Sequence, residues 1–261
     1  MTTPLFLVSA PRSGSTFLRG ALSAHPEINL TNEAGWIAAL RKAEMLTTTP
    51  SQERVDDGEG FATVGLIPHA YIGPVHDAFV AAAHSFVDAL RRSLGDAGRY
   101  FGDKVHSHND TAFLLRVFDD ARLVYLVRDI RDVLVSSYTF EEKQITAWRG
   151  ASFEQRCEHL ATFFARMQEL LTGRDHCLVR YEDLVEDPRA TIGRILGFLE
   201  LDPTAEIESW LEHGARELFA SHGTSRTPAA SVGRWRTMLA PEQQRIADTY
   251  LGEHLRRLGY D

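Results

Sequence analysis

Arg12-Ser13-Gly14-Ser15-Thr16 stands just after an apolar run, Pro4 to Val8, from which Ser9-Ala10-Pro11 separates it, and directly before a stretch with helical spacing. These residue types in this order suit an anion. A turn between a strand and a helix aims backbone N–H groups and a helix N-terminus at one point. Gly14 lets the backbone close around that point, Arg12 brings a fixed positive charge, and Ser13, Ser15 and Thr16 add hydroxyl donors. Phosphate is the ligand such a cradle fits. It is not a Walker A loop, which carries Lys directly before its last hydroxyl residue, whereas Gly14 is followed by Ser15. A ligand-free strand-turn-helix would share the apolar pattern, so the reading has to draw on the rest of the chain.

A second constellation supports it. Leu123-Val124-Tyr125-Leu126-Val127 is a near-continuous apolar strand with Arg128 at its end, and Ser136 follows eight positions later, one or two turns into the next helix. An Arg and a Ser so placed can hold a second phosphate. Lys104 and His106 close a third strand, and their spacing of two puts both side chains on one face. Tyr181 ends a fourth.

Stepping along the chain gives the elements that position these groups. A helix is expected over Thr16–Ala24, ended by His25-Pro26. An extended piece follows over Glu27–Thr31, and then a helix through Trp36 and Leu40 with Asn32 as its N-cap. Thr47–Gly60 is polar, with Pro and Gly, and reads as a loop or lid. Helical spacing runs over Pro74–Leu94, with Phe79, Ala83, Phe86, Val87 and Leu90 on one face. After a Gly-rich break come a strand over 99–106, a helix over 111–117 and the Arg122–Val127 strand. Helices over 130–140 and 152–171, a strand over 176–181 and a helix over 189–199 complete the pattern. Strands alternating with helices predict an α/β fold, a P-loop-like central parallel β-sheet with helices on both faces. Ligands of such sheets gather at the carboxyl ends of the strands, where Arg12, Lys104, Arg128 and Tyr181 all fall.

Composition sets the bounds. The 261 residues fit one domain, 1–261, with a lid or acceptor insertion around 45–75. Apolar residues make up 44%, enough for a sizeable core, and no run reaches the ~20 that a membrane span needs. Met1-Thr2-Thr3-Pro4 has no basic region, which argues against a secretory signal. The two cysteines, Cys157 and Cys177, suit a reduced cytoplasm and form no metal-ligand cluster. A net charge of −8 argues against a nucleic-acid partner, though not against a local anion site.

Together, the first loop and the Arg128…Ser136 pair resemble the sulfotransferases that use 3′-phosphoadenosine 5′-phosphosulfate (PAPS) and release 3′,5′-adenosine bisphosphate (PAP). Arg180-Tyr181-Glu182-Asp183-Leu184 resembles that family's YEDL segment, and Ser231-Val232-Gly233-Arg234-Trp235-Arg236 its late Gly-x-Trp-basic segment. The likeness covers about residues 4–45 and 99–240. It implies that Arg12, Ser13, Gly14, Ser15, Thr16 and Phe17 bind the 5′-phosphosulfate. Arg128 and Ser136 would bind the 3′-phosphate, with Tyr181 near the nucleotide and Gly233, Arg234 and Trp235 closing over it. The Pro-Arg-Ser-Gly loop departs from the cytosolic aryl and steroid enzymes, which carry Lys at the position of Arg12 and a late Arg-Lys-Gly run that is absent here. The nearer likeness is to tyrosylprotein and bacterial members.

Sulfuryl transfer to a hydroxyl or amine is then the implied chemistry, in line and without a metal, driven by positioning and charge. Arg12 and Lys104 would neutralise the sulfonate and the bridging oxygen. Two residues compete as the base that takes the acceptor proton. His106 resembles the base of the cytosolic enzymes, and an imidazole is a ready base at neutral pH. Glu33, 21 residues beyond Arg12, has the spacing of the catalytic Glu of the tyrosylprotein enzymes and is the favoured candidate. The acceptor, a small molecule, peptide or glycan, is not named by any residue, and its pocket walls are sought in Phe61–Tyr71 and Glu141–Trp148. An ATP-dependent kinase and a non-catalytic nucleotide-binding module are the alternatives.

Overall fold

Thr3–Ser9 (β1) is buried along all but its first residue and lies at the centre of a five-stranded parallel sheet. The computed structural model describes residues 2–48, 54–56, 61–63, 69–95, 98–141, 148–215, 218 and 227–260. Numbering the strands in chain order, β2 is Ile28–Thr31, β5 Tyr100–Val105, β6 Arg122–Val127 and β7 Cys177–Arg180, and the sheet order is β2-β5-β1-β6-β7. The apolar run of β1 is continuous because both its faces are covered. Leu5 and Leu7 pack with Leu18 and Leu22 of α1 (Ser15–Leu22) and Ile195 of α8 (Pro188–Phe198). Phe6 and Val8 point the other way, to Phe113 of α4 (His108–Val117), Val133 of α5 (Ile130–Glu141) and Leu160 of α6 (Phe153–Leu171). Fully burying a Leu or Phe side chain stabilises by about 1.5–3 kcal/mol, so this two-sided core fixes the sheet and with it the strand ends.

Several expectations need correction. Asn32 caps no helix. Glu33 and Gly35 both take positive φ (54° and 78°), so the chain turns there and α2 (Trp36–Thr48) starts only at Trp36. The polar stretch 47–60 is not all loop: α2 runs to Thr48, and Arg54–Asp56 (β3) pairs antiparallel with Phe61–Thr63 (β4). The next helix, α3 (His69–Ser93), begins before Pro74 and carries it inside. Tyr181 does not end β7 but opens a short helix, α7 (Tyr181–Glu186). Most of the supposed acceptor walls, 64–68 and 142–147, and much of the 45–75 insertion lie outside the described residues. Trp148 is described and packs against the core. No helix among the described residues is long and apolar enough to cross a membrane.

Candidate active site

The loop between β1 and α1 is held in a conformation that few residues accept. Arg12 has φ 68° and Gly14 φ 96°, both left-handed, and Gly14 stands before α1 without a side-chain cap. A side chain at position 14 is excluded twice. Besides the backbone angle, a Cβ would lie 2.4 Å from Cδ2 of Tyr181. That ring cannot give way, because the Tyr181 hydroxyl is hydrogen-bonded to Ser231 Oγ at 2.8 Å in a buried contact. Gly14→Ala is therefore expected to melt roughly 2–12 °C below wild type, reflecting about 1–3 kcal/mol of strain, and to lose nucleotide binding. Thermal unfolding with and without PAP checks this; an unchanged melting temperature would show that the ring yields.

The two phosphate constellations converge. The Arg12 Nε–H donates to Ser136 Oγ at 3.4 Å, and the guanidinium lies 3.8 Å from the Phe140 ring centre. Arg128, at the end of β6, donates to the carbonyls of Arg12 (3.0 Å) and Ser231 (2.5 Å) and stacks 4.5 Å over Tyr181. No carboxylate forms an ion pair with Arg12 or Arg128 among the described residues. Burial, and then the neighbouring Arg128, lowers the pKa of Arg12 to about 10. Ser13 Oγ and Arg128 Nε are buried without hydrogen-bond partners among the described residues. Two crowded cations and two unpartnered donors suit a multiply charged anion.

Asp132 lies four residues before Ser136 in α5, and so on the same helical face, and four residues after Arg128 at the strand end. Its buried carboxylate accepts the backbone N–H groups of Gly233 (2.6 Å) and Trp235 (2.9 Å), tying the late segment to α5. Burial raises its pKa, against the pull of those two hydrogen bonds and Arg128. Arg234 donates to Thr139 at 3.4 Å, and the Trp235 ring is stacked on Arg131 at 3.7 Å. Phe17 turns away from the loop: its ring meets Trp210 edge-on at 5.1 Å, and its N–H closes on the Gly14 carbonyl.

The competing bases meet at one oxygen. Glu33 Oε1 is 2.7 Å from Lys104 Nζ and 3.4 Å from His106 Nε2. Lys104 is buried and also reaches Thr16 Oγ1 at 3.3 Å. The His106 partners decide its tautomer. Its Nδ1 lies 2.9 Å from the Ser9 carbonyl, which can only accept, so Nδ1 carries the proton. Nε2 then faces Ser15 Oγ (3.4 Å) and the Glu33 carboxylate, and is either a free lone pair or a second, charged donor. Glu33 has its pKa lowered to about 2, first by the His106 hydrogen bond and then by Lys104. Its left-handed backbone is held by Asp103, whose carboxylate accepts the N–H groups of Glu33 (2.8 Å) and Ala34 (3.0 Å).

The sequence alone gives no role to Asp132, Asp103 or Ser9, and Ser231 enters it only as the first residue of the late segment. The spacing of four through 128, 132 and 136 carried a signal for Asp132. Nothing local marks Ser9, whose contact with His106 spans 97 residues.

A family model described as Sulfotransferase family matches residues 4–206. Protein-tyrosine sulfotransferase 2 of Gallus gallus is 25% identical over 206 residues, covering 75% of this chain and 50% of the relative. The chain spans about half the length of the first curated relatives it matches. Among solved structures, the sulfotransferase domain of the Synechococcus PCC 7002 olefin synthase superposes with a TM-score of 0.60 at 21% identity, over 95% of this chain and 94% of that one. A mouse sulfotransferase complexed with PAP gives 0.56 at 15%, over 97% and 85%. The fold is theirs, and with the family model matching more than three quarters of its length, the chain belongs to the sulfotransferase family.

Proposed function

We propose that the protein transfers a sulfuryl group from PAPS to a hydroxyl, or an amine, of an acceptor. The observation that carries this is the Arg12–Ser136 hydrogen bond beside Arg128, which brings the two anion-binding motifs together where neither arginine is ion-paired to a carboxylate among the described residues. The first loop, Arg12 to Thr16, would hold the 5′-phosphosulfate, and Arg128 with Ser136 the 3′-phosphate. The orphaned Ser13 hydroxyl and Arg128 Nε fit those oxygens. PAPS supplies the sulfuryl group, with PAP as the product left behind.

The residues of the chain then have separable tasks. Tyr181 buttresses the glycine of the loop from behind, and Asp132 holds Gly233, Arg234 and Trp235 against the nucleotide side. Lys104 is shared between Glu33 and the loop, and its charge is available to oxygens bound there. Drawing that charge away from Glu33 would raise the carboxylate's basicity from its depressed value, making it a better acceptor for the substrate proton. His106, anchored through Nδ1 on Ser9, would steady the same carboxylate oxygen when Nε2 also carries a proton.

A kinase is not favoured, because Ser15 stands where a P-loop Lys is required. The acceptor is read as a hydroxyl on a small molecule, peptide or glycan. A reduced, cytoplasmic setting is in keeping with Cys157 and Cys177, which are free and buried. The test is a thermal-shift comparison of PAP, AMP and ATP, followed by an acceptor screen with PAPS in chelator. A large shift with PAP alone and chelator-resistant turnover are expected. A shift with ATP that needs magnesium would reverse the assignment.

A further inference from the structure

Away from the strand ends, a cavity of about 470 Å³ lies where the last turns of α6, the start of β7 and the C-terminal helix Pro241–Arg257 meet over β6. Its volume is in the range of small-molecule sites. Tyr125 forms part of its wall and is only 5% exposed, yet its hydroxyl makes no hydrogen bond among the described residues. The hydroxyl is thus free to donate to an acceptor atom of a molecule bound in the cavity. Burial raises the Tyr125 pKa, so the group stays a donor. Across the cavity, burial lowers the pKa of His254, whose imidazole is likewise without a hydrogen bond among the described residues.

Two further features define the ligand. Phe164, Leu171 and Leu258 give apolar walls, and Leu178, 40% exposed on the edge strand, extends them to the mouth. No carboxylate lines the cavity, although the chain carries a net charge of −8. Two guanidiniums do. Arg257 is engaged by Glu253 and Gln168, whereas Arg174 is exposed and enters no ion pair among the described residues.

We propose that this cavity is a second ligand site, separate from the nucleotide cleft, and that it takes a small aromatic acid. The ring lies between the apolar walls, an acceptor atom meets the Tyr125 hydroxyl, and the anionic group reaches Arg174.

The probe is 2-naphthoate, titrated by calorimetry into the full chain saturated with PAP. One probe per chain is expected to bind. Tyr125→Phe, which keeps the ring, should weaken it about three- to tenfold, the effect of one buried hydrogen bond. Arg174→Ala, at an exposed position that leaves the fold intact, should weaken it by a similar factor. Because Tyr125→Phe removes a polar group with no partner, it should melt no lower than wild type without the probe. No saturable binding at millimolar probe overturns the proposal. Binding that neither substitution weakens also overturns it, by placing the probe in the acceptor cleft.

Discussion

Glu33→Gln is expected to lower turnover about 10²–10⁴-fold, the effect of a lost general base, while PAP affinity stays close to that of wild type. Gln keeps the size and hydrogen-bonding shape of Glu but cannot take a proton. The Glu33 side chain is more than half exposed, so a large loss is not explained by packing. The pKa near 2 belongs to the carboxylate while Lys104 and His106 both serve it, and it does not disqualify the group as a base once that charge is drawn away. The same depression has a testable sign. A carboxylate held at about 2 stays ionised at every pH above roughly 3, so kcat/KM, which reports the free enzyme, should show no acid limb from Glu33 between pH 4 and 7. His106→Ala is the control. If Glu33 is the base, losing His106 removes one steadying contact and costs less than losing the carboxylate. Should Glu33→Gln retain nearly full turnover while His106→Ala is dead, the role passes to His106. If both survive, neither is the base, and acceptor deprotonation comes from elsewhere or does not limit the rate.

How the site could be read from the chain follows from which contacts are local. The β6–Arg128–α5 unit was legible because an apolar strand, its terminal Arg and a helix Ser lie within fourteen consecutive residues, Leu123 to Ser136. The Pro4–Leu18 unit was legible for the same reason. The parallel sheet followed from alternation, and each strand end fell close to where the spacing placed it. What was not legible is cross-chain. That Glu33 and His106 share a carboxylate oxygen, instead of being rival bases at separate points, depends on β2 pairing with β5, which puts Thr31 beside Asp103. The left-handed turn at Glu33 has no glycine to announce it; Asp103 holds it from another strand. Asn32 was misread because its type favours a helix cap, while the hydrogen bonds of the turn are made one and two residues later.

PAP is expected to bind more than a hundredfold tighter than AMP, and Ser136 is the residue on which to test why. Two charge-assisted hydrogen bonds at about 1.5–3 kcal/mol each give that ratio, since about 1.4 kcal/mol is a factor of ten. Arg128 is the poorer probe. It also holds the Arg12 and Ser231 carbonyls and stacks on Tyr181, so Arg128→Ala would loosen the first loop and weaken both nucleotides. Ser136 offers a cleaner change. Its 3.4 Å contact with Arg12 Nε is long, and a phosphate oxygen is a stronger acceptor for that guanidinium than a serine hydroxyl. Ser136→Ala should therefore reduce PAP affinity about fivefold or more and leave AMP affinity unchanged, so that the PAP/AMP ratio shrinks. Calorimetry of both nucleotides against both proteins reads the four affinities. Equal binding of PAP and AMP by wild type would remove the 3′-phosphate from this site altogether. An equal loss of both nucleotides in Ser136→Ala would mean that the hydroxyl supports the loop through Arg12 and does not itself recognise the phosphate.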